Sequence, residues 1–278
     1  MSVATPKIFI GICTGPSKEY AAHYMIAALR NLDWDNYEIH WAITDFGDGK
    51  SSQYITDLKN LSSTVRWKGP VYFHTTQYDM KQVPVFMREN DDGSVASYDY
   101  VLRNLRLLRG KFLDGDCDYF LEVGGDNPPP RETVKRLMRH NVDAAFGTCY
   151  QRPERDVDGE SYPLVWSYTW SMKDLEKFNL EPVVLEKLKL AYSCTPFVVP
   201  VYALNDWKNI STLSPCASGT GMVLIKRPVL EKVGWHLPPN FYFSEDLYFC
   251  HQLNGHGFSS LADLKFHVPH FDSNGRIY

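Results

Sequence analysis

Residues 118–130 read Asp-Tyr-Phe-Leu-Glu-Val-Gly-Gly-Asp-Asn-Pro-Pro-Pro. A short aromatic and β-branched run broken by Gly-Gly-Asp-Asn and a string of prolines is a buried strand stopped at its carboxyl end by a turn. Asp126 therefore stands at a strand tip. In open α/β sheets ligands bind at those tips, and a carboxylate beside glycines can approach a metal ion or a phosphate without side-chain obstruction. The same residues also make ordinary turns, so the rest of the chain has to decide between the two.

The pattern on either side repeats the theme. Residues 7–13 form a compact apolar strand, Thr14-Gly15-Pro16-Ser17 its turn, and residues 18–32 carry apolar side chains at helical spacing. Residues 37–44 are a second strand running into the polar loop 45–52, then a helix to about Leu61 and a third strand at 71–75. After a loop at 77–93, a helix over 94–113 has the apolar face Tyr98, Val101, Leu102, Leu105, Leu108 and Phe112. Its arginines Arg103, Arg106 and Arg109 read as a solvated face, from which Arg103 could reach a bound diphosphate through a bidentate fork.

Beyond the prolines, residues 131–139 read as a helix, 142–149 as a strand and 151–168 as a polar loop. The aromatics Tyr162, Trp166, Tyr168 and Trp170 there are either core covers or platforms for sugar rings. A helix at 182–191 and an edge hairpin at 197–202 come next. A strand at 222–226, a helix from Arg227 to Gly234 and a helix at 247–253 follow, and a strand at 259–268 has Asp263, His267, His270 and Asp272 at or beyond its end. Strands alternating with helices predict an α/β fold, a mixed and mainly parallel sheet flanked by helices, in a single domain over 1–278.

The formal net charge of −4 with interspersed signs gives no footprint for a nucleic-acid backbone or an anionic membrane. No stretch is apolar for long enough to span a bilayer. The six cysteines are scattered without a Cys-x-x-Cys pair and read as buried thiols in a reducing compartment. With no secretory signal at the amino terminus, the expected location is cytoplasmic.

The order of these features resembles a glycosyltransferase of the GT-A fold, close to the family 2 type, over nearly the whole length. Thr44-Asp45-Phe46-Gly47-Asp48-Gly49 stands where that family has its second acidic loop. YFLEVGGDNPPP resembles its strand with an Asp-x-Asp tip, SGTGMVLIKRPVLEKVGW the small-residue turn, strand and helix that follow, FSEDLYFCHQLNGHGF the Glu-Asp pair before a helix, and ADLKFHVPHF the closing strand with a metal-binding histidine. The chain departs from the pattern at Gly124, which replaces the first acid of Asp-x-Asp. The resemblance implies a nucleotide-binding half over 1–130 and an acceptor and catalytic half over 131–278.

It also implies roles. Glycosyl transfer from a nucleotide-diphosphate sugar, whether a UDP- or a GDP-sugar, requires a held diphosphate, compensation of the charge that grows on it, and an acceptor hydroxyl at the anomeric carbon. A divalent cation, Mn2+ or Mg2+, would supply the second, with Asp126 and His270 as its ligands. His267, within the strand, is the competing histidine. An inverting transfer needs a general base; Asp246 takes that role, with Glu245 as an acceptor or sugar contact, although carboxylates at a helix start also cap backbone donors. Thr14, Gly15 and Asp45 would contact base and ribose, Gly125 with Asp126 the donor, and Gly219 and Gly221 would admit the donor sugar or acceptor to the backbone. The partners expected are a nucleotide-sugar donor and a glycan or other hydroxyl acceptor. Two other readings stay open: a sugar nucleotidyltransferase, which the short Thr14–Lys18 turn fits poorly, and an inactive binding protein, for which Gly124 speaks.

Overall fold

The structure, a computed structural model, describes residues 4–78, 98–151, 162–163, 165–169, 197–200, 207–214, 216–236, 245–271 and 277. The chain opens with strand β1 (Ile8–Thr14), a 3-10 turn (Pro16–Ala21) and helix α1 (Ala22–Arg30). Proline at the first position of that turn presets its φ and needs no backbone donor. Helix α1 buries Ala22, Met25, Ile26 and Leu29, the spacing of a single helix face.

Strand β2 (Tyr37–Asp45) leads to helix α2 (Gly49–Ser63), whose cap Asp48 accepts a hydrogen bond from the Ser51 amide at 2.7 Å. Gly47 lies between them at φ +71°, a left-handed turn position that favours glycine. Strand β3 (Val71–Gln77), helix α3 (Tyr98–Asp114), strand β4 (Tyr119–Gly124), helix α4 (Thr133–Arg139) and strand β5 (Ala144–Gln151) follow. The later elements are β6 (Tyr162–Pro163), β7 (Val165–Thr169), β8 (Phe197–Pro200), β9 (Thr212–Leu213), β10 (Cys216–Ser218), β11 (Met222–Lys226), helix α5 (Arg227–Lys232), helix α6 (Glu245–Gly255) and β12 (Ser260–Val268).

Among the described residues the main sheet runs β3-β2-β1-β4-β11-β5-β12-β9, with β6 paired to β5. Its pairs are parallel from β3 to β4 and between β5 and β12, while β11 is antiparallel to both neighbours. This is the mixed, mainly parallel α/β sheet that the sequence predicts. The insertion of β11 beside β4 brings the turn at 219–221 next to the tip that bears Asp126. The Gly124 amide donates to the Gly221 carbonyl at 2.8 Å and fixes that contact.

Each face of the sheet is apolar. Phe9, Phe112, Phe120, Trp235 and Phe249 pack on one, and Ile8, Ile10, Ile12, Met25, Leu29 and Trp41 on the other, all fully buried. At about 1.5–3 kcal/mol for each large apolar side chain removed from water, these layers hold the strand tips at fixed spacing.

The structure corrects three sequence expectations. Within 151–168, read as a loop, β6 and β7 form, and β7 pairs with β8 and β10 in a separate antiparallel sheet of three strands. Short strands interrupted by proline lack the alternation that marks a strand in sequence. Residues 197–200 are the partner of β7, and the rest of the hairpin expected at 197–202 lies outside the described residues. Arg106 and Arg109 are not simply a solvated face: their Nε atoms donate to the carbonyls of Trp235 at 2.9 Å and of Leu230 at 2.7 Å, tying α3 to the end of α5. Helix α6 starts at Glu245, so the acidic pair occupies its first turn. The predicted helix at 182–191, most of the loop at 77–93, Trp170 and Asp272 lie outside the described residues.

Candidate functional site

The parallel strands β1, β2 and β4 end together. Register sets Cys13 beside Gly124 and Thr14 beside Ile43, so Thr14, Asp45 and Asp126 come to one edge of the sheet. Neighbouring strands are about 4.8 Å apart, which separates Asp45 on β2 from Asp126 beyond β4 by roughly 10 Å across the tips. That is the scale of a nucleoside joined to a diphosphate.

Asp126 is 5% exposed. The ammonium of Lys18, carried over it by the 3-10 turn, pairs with its Oδ2. The Tyr20 hydroxyl lies 3.1 Å from the same oxygen and His270 Nε2 3.4 Å from it. Burial opposes ionisation of this carboxyl, but the His270 hydrogen bond and the Lys18 charge outweigh it and hold the pKa at about 2. The Phe271 amide donates to the Asp126 carbonyl at 3.0 Å, which anchors the segment just after β12 over the strand tip.

Two glycines and an asparagine shape this corner. A side chain at 125 would meet the Cys13 carbonyl at 2.6 Å, and one at 124 would meet Asn127 Oδ1 at 2.3 Å. The Asn127 amide therefore fills the space where the first acid of an Asp-x-Asp pattern would project. Its Nδ2 donates to the Pro269 carbonyl at 3.3 Å. Gly221 approaches the same asparagine, with a Cβ placed there 2.8 Å from Oδ1.

A second acidic group faces the turn at 219–221. The Thr220 hydroxyl lies 2.9 Å from Glu122 Oε1 and 2.6 Å from Asp246 Oδ1. Glu122 and Glu245 are 5% and 6% exposed, and each has one Oε2 buried without a partner. Burial pushes the Asp246 carboxyl up, and burial together with the Asp246 charge pushes Glu122 and Glu245 well up. Burial also raises the Tyr100 phenol, with Glu245 and Asp126 adding to the effect. The carboxylates of the two corners thus act on one side chain of α3.

The other residues expected at the site take these places. Thr14 is buried, with its hydroxyl 2.7 Å from the Tyr54 hydroxyl. Gly15 has extended backbone at φ −169°, which any residue adopts. Asp45 is partly exposed and accepts from the Gly47 amide at 2.9 Å and from Gln77 Nε2 at 2.6 Å. Arg103 is exposed, its guanidinium 5.0 Å from the centre of the Tyr78 ring, just past the tip of β3 and toward the Asp45 side. It is not among the groups that contact Asp126. His267 is exposed on β12, its ring 4.7 Å from that of Tyr150.

Sequence reasoning passed over Lys18, Tyr20, Glu122, Thr220 and the aromatic group of Phe46, Tyr78 and Tyr100, whose rings lie about 6 Å apart beside Asp45. For Glu122 a signal existed: a lone carboxylate inside an apolar strand. For Lys18 none did.

The residues fit a divalent cation at Asp126. A carboxylate oxygen and an imidazole nitrogen face each other, and His270 Nδ1 can only donate to the Tyr150 carbonyl, at 3.4 Å. Metal-ligating imidazoles are commonly held in this way. A cation would have to displace the Lys18 ammonium. Glu38, Asp116 and Cys117 also place ligand atoms close together, but at the other end of the strands, where the Lys7 ammonium already lies 3.1 Å from Glu38 and 2.5 Å from Asp116.

No family model matches the sequence, and no curated protein matches it either. Among solved structures, the mannosyltransferase PcManGT from Pyrobaculum calidifontis, in complex with GDP-Man and Mn2+, superposes with a TM-score of 0.51 at 9% identity, over 95% of this chain and 56% of its own. The S. aureus protein TarS 1-349 matches at a TM-score of 0.48 and 12% identity, over 94% of this chain and 59% of that one. The chain thus spans less than three-fifths of the length of these proteins. At the level of fold, the similarity to PcManGT makes the chain a GT-A-type α/β protein.

Proposed function

We propose that the chain is a glycosyltransferase that moves a sugar, of the hexosyl type, from a UDP- or GDP-sugar to an acceptor hydroxyl. The observation that carries this reading is the convergence at the strand tips of one corner, Asp126 with Lys18, Tyr20 and His270, and a second, carboxylic corner, Glu122, Glu245 and Asp246. In this reading Asp45 and the Phe46, Tyr78 and Tyr100 rings take the nucleoside, and Asp126 with Gly125 takes the diphosphate. The complex of PcManGT with GDP-Man and Mn2+ supports a guanosine donor and a divalent cation for this fold.

Asp126 and His270 would hold the cation, which when bound supplies Lewis-acid compensation for the leaving diphosphate. Lys18, released from Asp126, can then pair with a phosphate oxygen at no cost in unpaired charge. Asp246, raised above an ordinary carboxylate by burial, is suited to accept the acceptor hydroxyl's proton in an inverting transfer. Glu245 beside it would contact acceptor or sugar. Thr14, Gly15, Gly219 and Gly221 would supply backbone and hydroxyl contacts to the donor, and Arg103 a charge at the nucleoside side. We place the whole of 1–278 in one catalytic unit, in the cytoplasm, where reduced thiols such as the buried Cys117, Cys149 and Cys250 persist. No helix among the described residues is long and apolar enough to cross a membrane.

Calorimetric titration with UDP-glucose, UDP-GlcNAc and GDP-mannose, each with and without Mn2+, tests the reading. Binding of at least one donor, strengthened by Mn2+, is expected. Absence of binding to all of them would sink it.

A further inference from the structure

Glu122 sits in the middle of β4, on the same face as Phe120, and points between α3 and α6 toward the turn at 219–221. A buried carboxyl there is costly, and the core offers it one polar partner, Thr220. That partner has a single hydroxyl hydrogen, yet its oxygen lies within hydrogen-bond distance of two carboxyl groups, Glu122 at 2.9 Å and Asp246 at 2.6 Å. The hydrogen can serve only one of them. The other must itself carry a proton and donate to the threonine oxygen.

The surroundings decide which one. Glu122 Oε2 is fully buried without a partner, whereas Asp246 is partly exposed. The groups facing Glu122 are Asp246 and Glu245 on α6, Thr220 on the turn and the Cys13 thiol on β1. Cys149 on β5 faces Asp246, and Tyr100 on α3 faces Glu245. Among the described residues all of these are neutral or acidic, so none can stabilise a second negative charge.

We propose that Glu122 is a positioning residue that stays a neutral acid, donates to Thr220, and through the threonine hydrogen keeps Asp246 charged and oriented as the base. The proton balance is closed. The Glu122 hydrogen goes to Thr220 Oγ, the Thr220 hydrogen to Asp246 Oδ1, and the remaining lone pairs of Asp246 take the proton of the acceptor hydroxyl, whose oxygen forms the new glycosidic bond as the diphosphate leaves with the old bonding pair. The reverse arrangement, with both hydrogens shifted along the chain, would leave Asp246 protonated and unable to act. The proposal deepens the assignment of Asp246 as base and rests on it.

The test pairs two variants with a direct measurement. In protein labelled with 13C at the glutamate and aspartate carboxyl carbons, the resonance lost in Glu122→Gln identifies Glu122, and that lost in Asp246→Asn identifies Asp246. At neutral pH Glu122 is expected protonated and Asp246 ionised. For the donor found by calorimetry, Glu122→Gln, which keeps a donor to Thr220, should retain most of the turnover. Glu122→Met, which keeps only the volume, should lose roughly tenfold in kcat with little change in KM. A merely structural role predicts the opposite for methionine, since removing a buried carboxyl from a core is stabilising or neutral. An ionised Glu122 at pH 7, or equal losses in the glutamine and methionine variants, would overturn the inference. Full turnover in Asp246→Asn would instead overturn the base assignment, with Glu122 still found protonated, so the two failures are distinguishable.

Discussion

At the amino ends of the strands, Lys7 lies between Glu38 and Asp116, and His40 is stacked on Phe9 at 4.0 Å with its two nitrogens 2.9 Å from His74 and 3.2 Å from Glu38. At the carboxyl ends, Asp126 is shared by three partners, while among the described residues Glu122 and Asp246 share the Thr220 hydroxyl with Glu245 beside them. Both regions concentrate titratable groups. In the first, each charge meets an opposite charge or a neutral imidazole. In the second, Asp126 is compensated, but Glu122, Glu245 and Asp246 face one another with no basic group beside them among the described residues, and two oxygens stay unsatisfied. Compensated clusters stabilise a fold, whereas uncompensated ones persist where a ligand or a reaction completes them. In the proposed function the first end serves stability and the second the reaction.

The largest expected effect falls on the uncompensated end. Asp246→Asn should lower kcat by about a thousandfold, within the range for loss of a general base, without lowering the melting temperature, because it removes a negative charge that burial disfavours. Donor turnover and a thermal melt on the same preparation check both halves. A destabilised variant would mean that the acidic turn of α6 is a structural cap after all.

The amino end should respond in stability alone. Burial, opposed by Glu38, holds the His40 pKa down at about 4 against an ordinary 6.5. The folded value lies below the unfolded one, so the unfolded chain takes up the proton first. Stability is full above about pH 6.5 and falls as pH drops toward about 4, by roughly 2–3 kcal/mol. His40→Phe keeps the stack on Phe9 and should remove most of that slope while leaving turnover at neutral pH unchanged. Urea unfolding at about pH 7 and about pH 4.5 measures the difference; an identical slope in both proteins would show that other groups drive the acid sensitivity.

The same contrast explains how much could be read from the sequence. Strand tips are legible because apolar runs must stop and the residues that stop them are few. Asp126 at the end of β4, the turn before β11 and the Glu-Asp pair on α6 were found in this way, as were the boundaries of β11. What sequence cannot display is which distant charge returns to a tip. Lys18 looks like an ordinary turn lysine, and its meeting with Asp126, 108 positions away, depends on the 3-10 turn and the β1–β4 register. Arg106 and Arg109 read as solvated because helical periodicity reports a face, not the carbonyls of α5 and of Trp235 just after it that come to meet it. The β7-β8-β10 sheet was missed because its pairing is non-local and its strands are short.

The smallest effect concerns Lys18 and separates its two possible partners. In the structure it neutralises Asp126, so any cation arriving at Asp126 and His270 has to compete with an ammonium. Lys18→Met removes the competitor. Mn2+ alone, without nucleotide, should then bind about tenfold more tightly at neutral pH, the size of a single nearby charge in a partly solvated site. The carboxyl itself changes in step: with the lysine gone, burial is less fully opposed and the Asp126 pKa rises from about 2, yet it stays ionised at neutral pH, so tighter binding is not cancelled by a proton. Donor affinity should move the other way if the freed ammonium pairs with a phosphate in the complex. Electron paramagnetic resonance of free Mn2+ against protein concentration reads the first effect, and calorimetry with the donor the second. Unchanged Mn2+ affinity would mean that the cation does not use Asp126, and the carboxyl end would then resemble the amino end, with its charges paired for stability.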